Sequence, residues 1–162
     1  MTGADSVQFR ELVETARQYC RLIDRIAAGA DWLAPVFQIL PRLHARVVSL
    51  RDPGGVGFPP DSSDLDARFD LFTRLRMQLG EQDTYWLEFD NPDDAGEYLS
   101  GSLADDLTDI YFELKRGLQL LDTAGPEVVA HLWERGFEQH WGQHLVDAER
   151  HLYSLRTHSY LH

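Results

Sequence analysis

Apolar side chains recur every three or four positions along most of the chain, which is the spacing of an amphipathic α-helix. Capping residues, glycines or prolines mark the ends of five such segments. The predicted helices cover residues 6–28, 31–49, 63–79, 102–122 and 126–157. The two-residue alternation of a strand is absent from the sequence. The pattern predicts an all-α fold, a single-domain bundle of about five helices over residues 1–162.

The sequence makes further predictions for single residues of the second and third helices. Pro41 lies inside the second predicted helix, where we expect a kink or a split. His44 is on the apolar stripe of that helix and is expected to be a core histidine. Ser63 is expected to cap the third helix. The predicted core stripe of the third helix consists of Leu65, Phe69, Phe72, Leu75 and Leu79.

Two stretches have no helical stripe. Residues 51–63 contain Asp-Pro-Gly-Gly and Phe-Pro-Pro-Asp and are predicted to form a loop. Residues 81–99, between the third and fourth predicted helices, contain the aromatic run Tyr-Trp-Leu-Glu-Phe at 85–89. Because so long a loop is unusual in a compact domain, we expect its aromatic side chains to anchor it across the bundle. A calcium loop is rejected there, since Ala95 and Ser102 occupy the positions of the fifth and twelfth ligands.

The net charge of the chain indicates which kinds of partner to expect. The 162 residues include 27 acids and 15 Lys or Arg, which gives a formal net charge of −12. Nucleic acid and anionic membranes are poor partners for such a surface, whereas a basic protein or a cation is well matched. The length suits one domain, and 43% apolar with 26% charged residues is ordinary globular composition. Oligomeric state stays open.

The single cysteine, Cys20, excludes an intrachain disulfide and is expected to be a buried, inert thiol. The sequence begins without the basic segment and apolar core of a signal peptide. Its longest uncharged run, residues 32–41, is too short to span a bilayer. Together these features predict a cytoplasmic protein.

Three histidines share one face of the last predicted helix when it is drawn at 100° per residue. His140, His144 and His151 are therefore expected to point inward. That face consists of Trp133, Phe137, His140, His144, Ala148, His151 and Leu155. Its spacing of threes and fours is that of a seam between bundle helices.

His140 and His144 are four residues apart, so their rings can converge on one cation. On the fourth predicted helix, Asp106, Asp109 and Glu113 form the facing strip, while Asp105 points further round. Histidine and carboxylate ligands would suit zinc, iron or manganese. The candidate metal ligands are therefore His140, His144, Asp106 and Asp109. This pattern is not a zincin motif, because Trp141 stands where a glutamate should follow His140.

The same four residues fit a second interpretation, which the sequence favours. Buried histidines need hydrogen-bond partners, and aspartates on a facing helix supply them. A His–Asp lattice that locks two helices together would use Asp106, Asp109, His140 and His144 without any metal. His151, one or two turns away, is assigned to packing.

Complete catalytic patterns are missing from the sequence. It has neither the Gly-x-Ser-x-Gly of a nucleophile elbow nor the lysine and hydroxyl of a phosphate loop. The acids are too numerous to single out a catalytic pair. The leading hypothesis is a non-enzymatic interaction or regulatory module. The alternative is a metal- or small-ligand-binding bundle, with or without enzymatic activity, and a magnesium-dependent nucleotide hydrolase ranks last.

Three segments, taken in order, resemble a known family. They are Tyr-Trp-Leu-Glu-Phe-Asp at 85–90, Ser-Leu-Ala-Asp-Asp-Leu-Thr-Asp-Ile-Tyr at 102–111 and His-Trp-Gly-Gln-His at 140–144. With Tyr19-Cys20, they resemble the bacterial domain-of-unknown-function family 5063 over nearly the whole chain. The resemblance implies a small helical protein and no particular activity, substrate or cofactor. It also implies that Asp106, Asp109, His140 and His144 belong to the family's own pattern, which favours a shared role for them, either functional or purely architectural.

Overall fold

The computed structural model describes residues 3–28, 31–50, 57, 60–61, 64–87 and 100–159. Within them the α-helices are α1 Gly3–Asp24, α2 Leu33–Val48, α3 Leu65–Leu79, α4 Leu103–Ala124, α5 Pro126–Gly136 and α6 Gly142–Ser159. A 3₁₀ turn, Gly80–Gln82, leads into strand β1, Thr84–Trp86, which pairs with strand β2, Ser100–Ser102. A π-helical turn, Phe137–Trp141, joins α5 to α6 without a break. The predicted all-α fold is confirmed, with α5, the π turn and α6 forming the fifth predicted helix.

The helix ends differ in detail from the expected ones. α1 begins at Gly3 and ends at Asp24, earlier than expected at both ends. α3 is capped by Asp64, whose carboxylate accepts hydrogen bonds from the N–H groups of Asp66 and Ala67, and the expected cap Ser63 lies outside the described residues. α2 continues through Pro41 as one helix, so the chain is not split there.

α4 is the central helix of the bundle and packs against α1, α3, α5 and α6. Its leucine stripe explains this position, because Leu107, Ile110 and Leu114 are fully buried. Burying each such side chain contributes about 1.5–3 kcal/mol. Buried Tyr19 of α1 donates a hydrogen bond of 2.7 Å from its hydroxyl to the backbone oxygen of Leu107. The core therefore surrounds α4 and fixes which of its faces remain for polar groups.

The prediction of the buried stripe of α3 is wrong for its first two residues, Leu65 and Phe69. Leu71, Leu75 and Leu79 are buried, whereas Leu65 and Phe69 are 72% and 65% exposed. Phe69 lies about 200° from Leu71 around a helix, so both cannot face α4. The sequence was ambiguous because Leu75 and Leu79 fit either stripe.

The segment between α3 and α4 contains a small antiparallel sheet that the absence of strand alternation did not predict. Tyr85 lies opposite Gly101, and a Cβ at Gly101 would come within 2.3 Å of the Tyr85 ring. Glycine therefore lets the ring lie across β2. Three residues per strand are too few for an alternating pattern to be visible. Tyr85 anchors the segment as expected, while Trp86 is exposed and Phe89 lies outside the described residues.

The π turn changes which face of the last helical rod is buried. The N–H of Gly142 donates to the oxygen of Phe137, five residues back. A Cβ on Gly142 would lie 2.3 Å from that oxygen, so glycine allows the close approach. A π turn accommodates one extra residue, which shifts the following residues by about 100°. The buried face therefore continues through Trp141, Leu145, Ala148 and Leu152.

Candidate functional site

His144, on α6, lies between two aspartates of α4. Its Nδ1 is 2.7 Å from Oδ1 of Asp106, and its Nε2 is 3.0 Å from Oδ2 of Asp109. Asp106 and Asp109 are three residues apart, so both carboxylates lie on the same face of α4. Two carboxylates cannot donate, so the ring donates at both nitrogens and is an imidazolium in this arrangement.

The charges of this group are mutually consistent. Hydrogen bonds to Asp106 and Asp109 raise the pKa of His144 to about 10, against the opposing effect of burial. Burial raises the pKa of Asp106 to about 6, although hydrogen bonds from His144 and Tyr85 oppose the rise. Burial also acts to raise the pKa of Asp109, but the hydrogen bond from His144 and the nearby cations hold it below its ordinary value. At neutral pH the group is therefore one imidazolium between two carboxylates.

Two further side chains connect this group to other elements. The Tyr85 hydroxyl of β1 donates to Oδ2 of Asp106, and burial together with that bond raises the pKa of Tyr85 above its ordinary value. Arg68 of α3 donates to Oδ1 of Asp109, and its guanidinium lies 5.1 Å from the centre of the Phe112 ring. The network thus joins α3, β1, α4 and α6.

His140 does not point inward as expected, because its side chain is 46% exposed. The π turn causes the error, since it places Trp141 rather than His140 on the buried face. His140 still reaches the cluster from its rim. Its Nδ1 is 3.1 Å from Oε1 of Glu113, and its Nε2 is 4.0 Å from Oδ2 of Asp109.

The structure thus brings the four predicted site residues, Asp106, Asp109, His140 and His144, into one neighbourhood. Two possible metal-binding groups share His144, and in each of them the ligand atoms lie within 4.8 Å of one another. One group is Asp109, His140 and His144, and the other is Asp105, Asp106 and His144. Asp105 therefore lies closer to His144 than its position around α4 suggested.

The remaining histidines on the predicted stripes have separate roles. His151 is buried, and its Nε2 donates to the backbone oxygen of Gln82 at 2.6 Å while its ring packs on Tyr85. His44 is not a core residue. Its Nδ1 lies 3.0 Å from Oε1 of Glu149 at the half-exposed edge between α2 and α6.

Sequence reasoning missed Arg68 and Tyr85 as members of the cluster. Both come from elements outside α4 and α6, and neither shares a helical spacing with the histidines. The segment resemblance at 85–90 was the one signal that could have indicated Tyr85. A cleft of about 750 Å³ lies between α3 and α4, and Arg68 and Glu113 contribute to its lining.

A second candidate surface lies on the outer side of α3. Leu65, Phe69 and Met77 are 72%, 65% and 79% exposed and, with exposed Thr73, form an i, i+4 ridge along the helix. Exposed Asp70 contributes to the lining of a shallow depression between Phe69 and Met77. We call the ridge of Leu65, Phe69, Thr73 and Met77 the α3 ridge. Large apolar side chains so exposed on neighbouring positions mark interaction surfaces in many proteins.

Comparison with solved structures shows a similar fold in protein BF1032 from Bacteroides fragilis, known from a crystal structure. The TM-score is 0.72 at 22% sequence identity, and the similarity covers 90% of this chain and 89% of that one. The curated proteins contain no match. Within the described residues, none of the helices combines the length and apolar content needed to cross a membrane.

The family comparison covers nearly the whole chain. The model of a family described as a domain of unknown function, DUF5063, matches residues 5–158. The match spans every helix that carries the histidine and aspartate cluster and also the α3 ridge. The chain belongs to the DUF5063 family of domains of unknown function.

Proposed function

We propose that this protein is a non-enzymatic interaction module that binds a partner protein through the α3 ridge. The exposure of Leu65, Phe69 and Met77 on one side of α3 is the observation that carries the proposal. The opposite side of the helix, with Leu71 and Leu75, is buried against the bundle. α3 is therefore well anchored, and a partner can cover its outer side without any rearrangement of the core.

The chemistry of the surroundings identifies the kind of partner. The net charge of −12 favours a partner with a basic surface, because complementary charges speed encounter and exclude wrong partners. Exposed Asp66 and Asp70 lie beside Leu65 and Phe69 on the same helix. The expected partner presents apolar side chains flanked by Lys or Arg. The single cysteine supports a reducing compartment, such as the cytoplasm, for this encounter.

The test compares co-purification from the protein's own cells for three forms of the full chain. The wild type is compared with the double variant Phe69→Ser, Met77→Ser and with Tyr153→Ser, which removes an exposed aromatic side chain from α6 instead. We expect a basic protein to co-purify with the wild type and Tyr153→Ser and to be lost with the double variant. Titration calorimetry with the identified protein should then show a Kd weakened at least about 10-fold by the double variant.

Two outcomes would contradict the proposal. One is that wild type and double variant retain the same proteins at physiological salt. The other is a concentration-dependent dimer in light scattering that the double variant abolishes, because a second copy of the chain would then occupy the α3 ridge.

A further inference from the structure

We propose that Asp109, His140 and His144 bind a divalent transition metal ion of the zinc, iron and manganese group. The two histidines come from one helical rod, four residues apart, and Asp109 comes from the facing helix α4. The ring centres of His140 and His144 are 5.1 Å apart. Both rings direct Nε2 toward the same oxygen, Oδ2 of Asp109, at 4.0 and 3.0 Å.

The second ring nitrogen of each histidine, Nδ1, contacts a carboxylate, and these two contacts are the main support for a metal site. Nδ1 of His144 is held by Asp106 at 2.7 Å, and Nδ1 of His140 is held by Glu113 at 3.1 Å. Histidines that bind metals almost always donate their second N–H to a carboxylate, a backbone carbonyl or water, which fixes the tautomer and the ring orientation. Here the partner of both rings is a carboxylate. A structural lattice requires only that each ring find some partner, whereas this arrangement at both rings is the one that favours metal ligation.

The distances suit a small ion. Zinc bonds to histidine nitrogen at about 2.0–2.1 Å and to carboxylate oxygen at about 2.0–2.2 Å, which places neighbouring tetrahedral ligands about 3.3 Å apart. The observed separations of 3.0 and 4.0 Å lie on either side of that value. The longer separation belongs to His140, whose side chain is exposed.

The charges of the surrounding groups also favour a cation. Asp106, Asp109 and Glu113 carry three negative charges around the rings, and Arg68 supplies one positive charge at Oδ1 of Asp109. With both rings neutral, these four groups carry a net charge of −2, and exposed Asp105 beside His144 adds one more negative charge, so the cluster attracts a divalent cation. Without the ion, the Nε2 proton of His144 occupies the position toward Asp109. The lattice and the metal site are therefore two states of one cluster, related by exchange of that proton for an ion.

Three protein ligands leave coordination positions for water or a ligand. The 46% exposure of the His140 side chain places the site at the surface, where an ion can enter. This proposal uses residues other than those of the α3 ridge, so either can fail alone.

The test begins with protein purified without a histidine tag, stripped of metal by a chelator and titrated calorimetrically with zinc chloride, manganese chloride and, in the absence of oxygen, iron(II) chloride. We expect one ion per chain and a raised Tm. The variant His140→Ala should abolish binding while its circular dichroism stays native, since the side chain is exposed and lies outside the core. His158→Ala, an exposed histidine on α6, is the matched control and should bind like the wild type.

A second variant keeps the proposal falsifiable if His140→Ala does not fold. Glu113→Gln retains the shape of the side chain but removes the carboxylate at Nδ1, and it should weaken metal affinity about 10- to 100-fold. The proposal is overturned if zinc, iron(II) and manganese(II) all leave heat and Tm unchanged in the wild type. It is equally overturned if the ion binds but His140→Ala and Glu113→Gln bind it with unchanged affinity.

Discussion

At the scale of single residues, burial determines the reactivity of the Cys20 thiol. Its side chain lies in the core beside Tyr19, whose hydroxyl is hydrogen-bonded to α4. Burial raises the pKa of the Cys20 thiol to about 12, against an opposing effect of Lys115 and with a smaller further rise from Asp24. The thiolate is the reactive form, and it becomes abundant only as the pH approaches that value. The residue is therefore a small apolar side chain at neutral pH.

We expect Cys20 to resist modification in the folded protein. At pH 8 roughly one thiol in ten thousand is ionised at this pKa, so a thiol reagent such as DTNB should react slowly and only through opening of the fold. The rate should rise with pH and reach that of an ordinary cysteine in denaturant. Stoichiometric labelling of the native protein within minutes at pH 8 would contradict this expectation.

At the scale of elements, the crossing of α4 and α5 depends on a small residue facing a large one. A Cβ at Gly117 would lie 2.1 Å from Nε1 of the Trp133 indole, which donates to the backbone oxygen of Glu113 at 3.1 Å. Glycine normally weakens a helix interior by about 0.5–1 kcal/mol relative to alanine. Here it allows a fully buried tryptophan to approach the backbone of α4 closely.

Gly117→Ala should therefore destabilise the protein by about 1–3 kcal/mol, even though alanine is the better helix former. Urea denaturation of the wild type and variant measures the difference. In the background of Trp133→Phe, the smaller ring leaves space, and the same change should cost clearly less. Equal costs in both backgrounds would show that the indole does not limit the residue at 117.

The sequence predicted the elements well where the apolar spacing is unambiguous. The stripe of Leu107, Ile110 and Leu114 correctly indicated α4, and a glycine or proline marked the end of α3, the end of α4 and the start of α5. The prediction of the buried face failed for α3, where two apolar stripes share residues. Only packing against α4 decides which of the two is buried. The prediction also failed for the orientation of His140, because helical periodicity assumes 3.6 residues per turn throughout and a π turn violates that assumption.

At the scale of the whole molecule, the cluster around His144 connects parts of the chain that are distant in sequence. Arg68 of α3 and Tyr85 of β1 bond to Asp109 and Asp106 of α4, which both bond to His144 of α6. The pairing of α4 with α6 was predicted from the facing histidines and aspartates. The contributions of α3 and β1 were not, because they depend on three-dimensional proximity that no local spacing encodes.

Replacing His144 should therefore reduce the stability of the whole fold. His144→Ala leaves buried Asp106 without one of its hydrogen-bond donors, at a cost of about 1–3 kcal/mol. Chemical denaturation in the presence of EDTA measures this without any contribution from metal. His158→Ala, an exposed residue of the same helix, should change stability by less than about 0.5 kcal/mol. Equal stabilities of the two variants would contradict the structural role of the network.

The π turn also has a consequence for how sequences of this family should be aligned. Removing one residue between positions 137 and 141 would allow a regular α-helix, and α6 would then rotate by about 100° relative to α5. His144 would leave the side that faces Asp106 and Asp109, although every residue of the cluster would still be present. The number of residues between Trp133 and His144 therefore decides, together with their identities, whether a related sequence can form the cluster. A relative with a one-residue deletion here would keep all residues of the cluster, but its His144 would not reach Asp106 and Asp109.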